Sequence, residues 1–376
     1  SIHAYSHFGF LMSSIFHRYQ EGYAFTNVAY DLCMRLNSAR YRGQVHYFRG
    51  LSALWVRPLT MVIALQRDVL QMLIQNGELA YASMCSNYLV SNVLATGLLL
   101  EDVAQEAQEH LAFVQQVKFD DVADLIRPVI QVTKLLRGLT YTSTKFDDDT
   151  FSEERFEATF TPERMPLVIC RYYIAKLMAH CIMGDFAMAH AAAVQAQPLL
   201  WSIAGFQEMH NYTYFAALAL ACIYDDAAPK ERAQYLETLQ GYLDQLMEWT
   251  ESNQETFGCT AALVSAELSR IREDDLVAMR SYEQAIESAR TYGFVQHQAL
   301  ANEFAARFYQ KRKFATIAAT YLREAHICYA LWGADGKVRQ ITEQNPHLLD
   351  QKPILELEPP TPAHRLDVFA SIKASQ

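Results

Sequence analysis

Apolar residues recur at helical spacing along almost the whole chain, and the pattern is interrupted at regular intervals. In Met165–Met183 they fall at Leu167, Cys170, Ile174, Leu177, Met178, Cys181 and Ile182, a stripe dominated by steps of three and four. Glycines and polar clusters divide the chain into helical hairpins that start near His3, Tyr41, Gly77, Asp121, Glu163, Gly205, Gln254 and Val295. The mean period is about 42 residues, in the range of stacked helical arrays. A single hairpin of that length cannot bury its apolar face alone, so neighbours must stack. The predicted fold is all-α, an α-solenoid of about 16 helices. In such an array each hairpin is expected to touch only its neighbours.

Second helices of several hairpins carry a tetratricopeptide-like signature in degenerate form. Gly184-Asp185-Phe186-Ala187 opens an alanine-rich helix. Ala278, Tyr282, Ala285 and Ala289 follow at steps of four, three and four, and Ala318, Tyr321, Ala325 and Tyr329 repeat the idea. Alanine permits close approach of a neighbouring helix while tyrosine fills the space beside it. Composition agrees: 376 residues hold only 14 Gly and 11 Pro, too few for a fold rich in short strands and turns.

The 32 basic against 42 acidic residues give a net charge of −10, which argues against nucleic acid as a partner. Seven cysteines without a CxxC pair predict free thiols in a reducing, cytoplasmic setting. The apolar runs Leu89–Leu100 and Tyr212–Tyr224 fall short of the roughly 20 residues that span a bilayer, so no membrane is expected. The first residue is Ser1, and the chain reads as a fragment of something longer.

Residues 141–162 are polar, with Asp147-Asp148-Asp149 and a closing Pro162, and read as a loop with one short helix. It separates N-terminal hairpins over 1–140 from C-terminal hairpins over 163–342. Residues 343–376 form a proline-rich tail that regains helical character at Leu366–Ser375.

Asp120-Asp121-Val122-Ala123-Asp124 is similar to the aspartate run with which terpene synthases and prenyl transferases hold magnesium against a diphosphate. The second metal cluster such enzymes need is absent after both Asp225-Asp226 and Asp274-Asp275, so a helix-capping role is the simpler reading. Gly333-Ala334-Asp335-Gly336-Lys337 lacks the spacing of a phosphate loop and reads as a helix end and turn. His3 and His7 have no third ligand nearby, and His180, Cys181 and His190 read as packed side chains. No catalytic, cofactor-binding or metal-binding residue is assigned, and no cofactor is expected. Arg164, Arg171, Lys176, Arg307, Lys311 and Arg312 lie on first helices, where they are candidates to line a concave groove for acidic peptide. Trp55, Trp201, Trp249 and Trp332 are each expected to anchor a hairpin corner. Trp332 would close the last one, with Gly333 as the positive-φ exit.

From about Thr256 onward the residues carry a resemblance. The block Ala299–Tyr309 (ALANEFAARFY), the step Tyr321, Glu324, Ala325, Tyr329 and the corner Trp332-Gly333-Ala334 together resemble the helical middle region of multi-sensor hybrid serine/threonine–histidine kinases. In that family a kinase domain and a STAND-type ATPase precede this region, and a GAF domain and a histidine kinase follow it. Leu366–Gln376 resembles the helix that leads into the GAF domain. The resemblance implies a non-catalytic scaffold or relay in signal transduction, in contact with other domains of the same polypeptide or with protein partners. The alternatives are a stand-alone regulator that binds a peptide or small ligand, and a magnesium-dependent diphosphate enzyme.

Overall fold

The computed structural model describes residues 1–38 and 41–346. Helices α1 (Ile2–Ser14), α2 (Tyr19–Arg35), α3 (Arg42–Ala53), α4 (Leu59–Gln75), α5 (Leu79–Leu94), α6 (Leu100–Gln116) and α7 (Asp120–Arg137) form a first limb. After a one-turn helix α8 (Glu153–Glu157), a second limb contains α9 (Pro166–Met183), α10 (Phe186–Ala196), α11 (Gln207–Ile223) and α12 (Pro229–Ser252). It continues with α13 (Gln254–Ile271), α14 (Asp275–Tyr292), α15 (Val295–Lys311), α16 (Ala315–Trp332) and α17 (Asp335–Gln344). The architecture is an all-α helical repeat, with 17 α-helices among the described residues. The first eight odd-numbered helices, leaving aside α8 and its neighbours in even positions, begin within three residues of the hairpin starts read from the sequence. The proline-rich tail and its Leu366–Ser375 helix lie outside the described residues.

Sequence-local signals set the helix ends. Pro166 opens α9 at a position where its missing N–H costs nothing, and Asn253, Asp185 and Asp274 cap α13, α10 and α14 with side-chain oxygens. Gly333 ends α16 at φ +78°, a left-handed value that side chains with a Cβ resist. Ala278, Ala285, Ala289 and Ala325 are buried where second helices press on their partners, with Tyr282 and Tyr329 beside them.

Residues 141–162 pack more tightly than a polar loop should. Phe146 is 1% exposed and, with Phe151 and Phe156, joins the same core as Tyr19 in the first limb and Ile341 in the last helix. Two of the three aspartates bond the loop backbone: Asp147 Oδ1 accepts from the Glu153 amide at 2.7 Å and Asp148 Oδ1 from the Phe151 amide at 2.9 Å, while Asp148 Oδ2 accepts from Lys134 Nζ at 2.7 Å. Four phenylalanines spread through polar sequence supply the burial that a helical stripe supplies elsewhere.

The expectation that hairpins touch only their neighbours does not hold. Corners of the first limb meet helix ends of the second along a seam. Trp249 Nε1 donates to Tyr19 OH at 2.8 Å, and Trp249 packs on Trp55 with ring centroids 5.1 Å apart. Asn253 Nδ2 donates to the carbonyls of Leu54 at 3.0 Å and Arg57 at 2.7 Å. Gln296 Nε2 donates to the Ala95 carbonyl at 2.8 Å. At the far end Gly336 approaches Gly138 so closely that an added Cβ would lie 2.8 Å from its amide nitrogen. Gly333 lies on Leu99 in the same way, so the Trp332 corner abuts the start of α6 and is no free terminus. Short corners every 40 or so residues bring both limbs to the same edge, where amide side chains satisfy carbonyls that a free array leaves to water.

Candidate interaction site

The strongest arrangement of polar side chains lies along the inner helices α13 and α15. Each helix carries a glutamate within an otherwise apolar stretch, followed by an arginine one turn later. Burying an unpaired carboxylate is prohibitive, so each must find donors inside the fold. Glu267 Oε2 accepts from Arg270 Nε at 2.8 Å, and its other oxygen from Tyr282 OH on α14. Glu303 accepts from Arg307 Nη2 at 2.6 Å, from Lys337 Nζ at 2.9 Å and from Tyr329 OH on α16 at 2.8 Å. Burial opposes ionisation of Glu303, but Lys337 and Arg307 outweigh it and hold the carboxyl down to about 2. The same burial pulls Lys337 below the usual lysine range. Two successive hairpins thus repeat one device: a buried glutamate that fixes an arginine and the tyrosine of the next helix.

These arginines open onto a cleft of about 320 Å³ between α10, α11, α13 and α15. Phe186, Phe304 and Phe308 form its apolar lining, and the Arg307 guanidinium carbon lies 4.7 Å from the Phe186 ring centroid. Arg270 is fully engaged, with Nη2 donating to the Ala221 carbonyl at 2.7 Å and Nη1 to Asp225 at 3.2 Å. Lys311 Nζ donates to the same Asp225 carboxylate at 2.6 Å. The Cys222 thiol lines the cleft as well, and burial pushes its pKa up to about 12, so it is protonated at neutral pH.

Of the six cations read from the sequence, only Arg307 and Lys311 meet here. Arg312 turns away, bonded to Asp275 and stacked 3.7 Å over the Phe308 ring centroid. Arg164 clamps Asp121 and Asp124, and Lys176 Nζ reaches Glu153 at 3.0 Å. Arg171 belongs to the core and not to this cleft: its side chain is 3% exposed, paired with buried Glu208 at 2.5 Å and with Asn87 of the first limb. A cation in an amphipathic stripe reads as a groove residue when the helix has one free face, but α9 is covered on both sides. Asp120 and Asp121 lie in the first turn of α7, where carboxylates favour the helix dipole, while the capping residue itself is Phe119. Trp55, Trp249 and Trp332 are buried at corners, whereas Trp201 is 70% exposed and anchors none. Glu267, Glu303 and Lys337 escaped sequence reasoning; the signal for Glu303 was an acidic residue inside the apolar run Ala299–Ala306.

Over 63 residues the chain is 44% identical to hybrid signal transduction histidine kinase G of Dictyostelium discoideum, a stretch covering 16% of this chain and 2% of that protein. The chain has a loose link to signal-transduction kinases. No protein-family model matches it. Among the described residues one helix, α9, is long and apolar enough to cross a membrane, and 78% of it is buried inside the fold.

Proposed function

We propose that this chain is a non-catalytic helical-repeat scaffold of a multidomain signalling kinase, a cytoplasmic relay that holds neighbouring domains or protein partners in a fixed relation. The seam is the observation that carries the reading. With Asn253, Trp249 and Gln296 tying the limbs together, a displacement at α17 reaches α7 through the Gly336–Gly138 contact as well as along the chain. A relay needs that stiffness, because a loosely jointed array dissipates motion between its hairpins. The likeness to a hybrid histidine kinase supports the signalling context. The aspartate run that favoured a diphosphate enzyme is engaged otherwise, since Arg164 occupies the carboxylates of Asp121 and Asp124.

The reading frame around this segment tests the proposal. Coding for kinase, ATPase or GAF modules in the same frame is expected. A frame that closes on both sides without any such module overturns the kinase context. Magnesium-dependent diphosphate release that disappears in Asp120→Ala overturns the non-catalytic assignment.

A further inference from the structure

We infer that the cleft between α10, α11, α13 and α15 is a docking site for a short acidic peptide that presents a carboxylate beside an apolar side chain. The inference rests on reading the chain as a protein-interaction segment and names the partner chemistry of its cleft. Arg270, Arg307 and Lys311 line this cleft with Glu267, and together with their ion-pair partners Glu303, Lys337 and Asp225 the set carries an excess of one positive charge in a chain whose net charge is −10. Their placement matters more than the count. The carboxylates of Glu267 and Glu303 are 4% and 7% exposed and lie behind the cations, whereas Arg307 and Lys311 are 36% and 59% exposed. Among the described residues Arg307 donates only through Nη2, which leaves Nε–H and Nη1–H for a ligand oxygen.

Asp225 is the acidic partner of Lys311 beside the cleft. Its bond to Lys311 is between two side chains exposed to 43% and 59%, and pairs of that kind contribute about 0–1 kcal/mol. An incoming carboxylate can therefore take over Lys311 at little cost. Arg307 is already oriented by buried Glu303, so the ligand does not have to order it. Phe186, Phe304 and Phe308 give an adjacent apolar side chain a surface to cover. Carboxylate and apolar group together fit the cleft better than either alone.

The test uses a fluorescein-labelled peptide alternating glutamate with leucine, read by fluorescence polarisation against the whole chain. Saturable binding is expected. It should weaken about tenfold or more in Arg307→Gln, the scale of one charge-assisted hydrogen bond. Lys311→Glu should also weaken it, and its exposed position keeps the test open if Arg307→Gln fails to fold. Arg18→Gln should leave binding unchanged, because Arg18 pairs with Glu21 on the first limb, away from the cleft. Peptides with lysine for glutamate, or serine for leucine, should bind at least several-fold more weakly. Equal binding by Lys311→Glu, or no saturable binding at all, overturns the site while leaving the reading-frame test of the scaffold unaffected. Displacement by inorganic phosphate with no dependence on leucine overturns the peptide assignment in favour of a plain anion site.

Discussion

Replacing Asn253 separates the seam from ordinary helix capping. The side chain is 6% exposed and does two jobs: Oδ1 caps α13 by accepting from the Thr256 amide at 3.2 Å, and Nδ2 satisfies the carbonyls of Leu54 and Arg57. Loss of the cap costs about 1 kcal/mol. Leu54 is fully buried, so its carbonyl loses its seam partner without access to water, at about 1–3 kcal/mol. Arg57 is exposed, and its carbonyl can turn to solvent. Asn253→Ala should therefore lower the unfolding free energy by about 2–4 kcal/mol in urea titrations followed by far-ultraviolet circular dichroism. Asn253→Asp is the sharper variant. It keeps a good cap but removes both seam donors and sets a carboxylate against two carbonyls, so it should be at least as destabilising as alanine. If Asn253→Asp stays within about 0.5 kcal/mol of the parent, the cap carries the effect and the seam argument fails. Hydrogen exchange gives the second check: it should rise at 54–57 as well as at the start of α13, and a rise confined to α13 would contradict the seam.

Acid should destabilise the protein in two stages. Burial and neighbouring His297 push His210 down to about 3, below its unfolded value near 6.5; its contribution is intact above that value and is lost as pH falls, reaching about 2 kcal/mol by pH 5. His210→Gln should reduce the slope of stability between pH 7 and 5 without abolishing it, since burial holds His297 and His46 at about 4 as well, and an unchanged slope refutes the assignment. Glu303, held at about 2, stabilises above its unfolded value near 4.3 and loses that contribution as pH falls toward 2, so Glu303→Gln should remove the steepest part of acid unfolding. Phe146→Ala should cost about 3–5 kcal/mol and turn residues 141–162 into the first site of limited proteolysis. Early cleavage there in the unmutated chain would show that its phenylalanines do not hold the segment.

Helix positions were legible in the sequence because they depend on local signals: apolar spacing, Pro166, the capping Asp and Asn side chains, and Gly333. The seam was not legible. Asn253, Gln296 and Gly336 are common residue types at helix starts, and nothing local marks which carbonyl 200 or so residues away they will meet. Burial of residues 141–162 was hidden for a related reason, since Phe146, Phe151 and Phe156 follow neither a helical nor a strand period. At the cleft the sequence singled out Arg307 and Lys311 but also four cations that fold elsewhere. Charge on a first helix does not reveal whether a buried glutamate one turn back will hold it. Glu303, the residue that organises the cleft, was readable only as an acid in an apolar run.

Native-state hydrogen exchange over a urea series tests most directly whether the limbs form one closed unit. The most protected amides of α3 and α13 should open with the same free energy and the same dependence on urea, because breaking the seam at Leu54 and Asn253 exposes both. If α3 exchanges fully at urea concentrations where α13 remains protected, the limbs open independently and the closed relay does not exist.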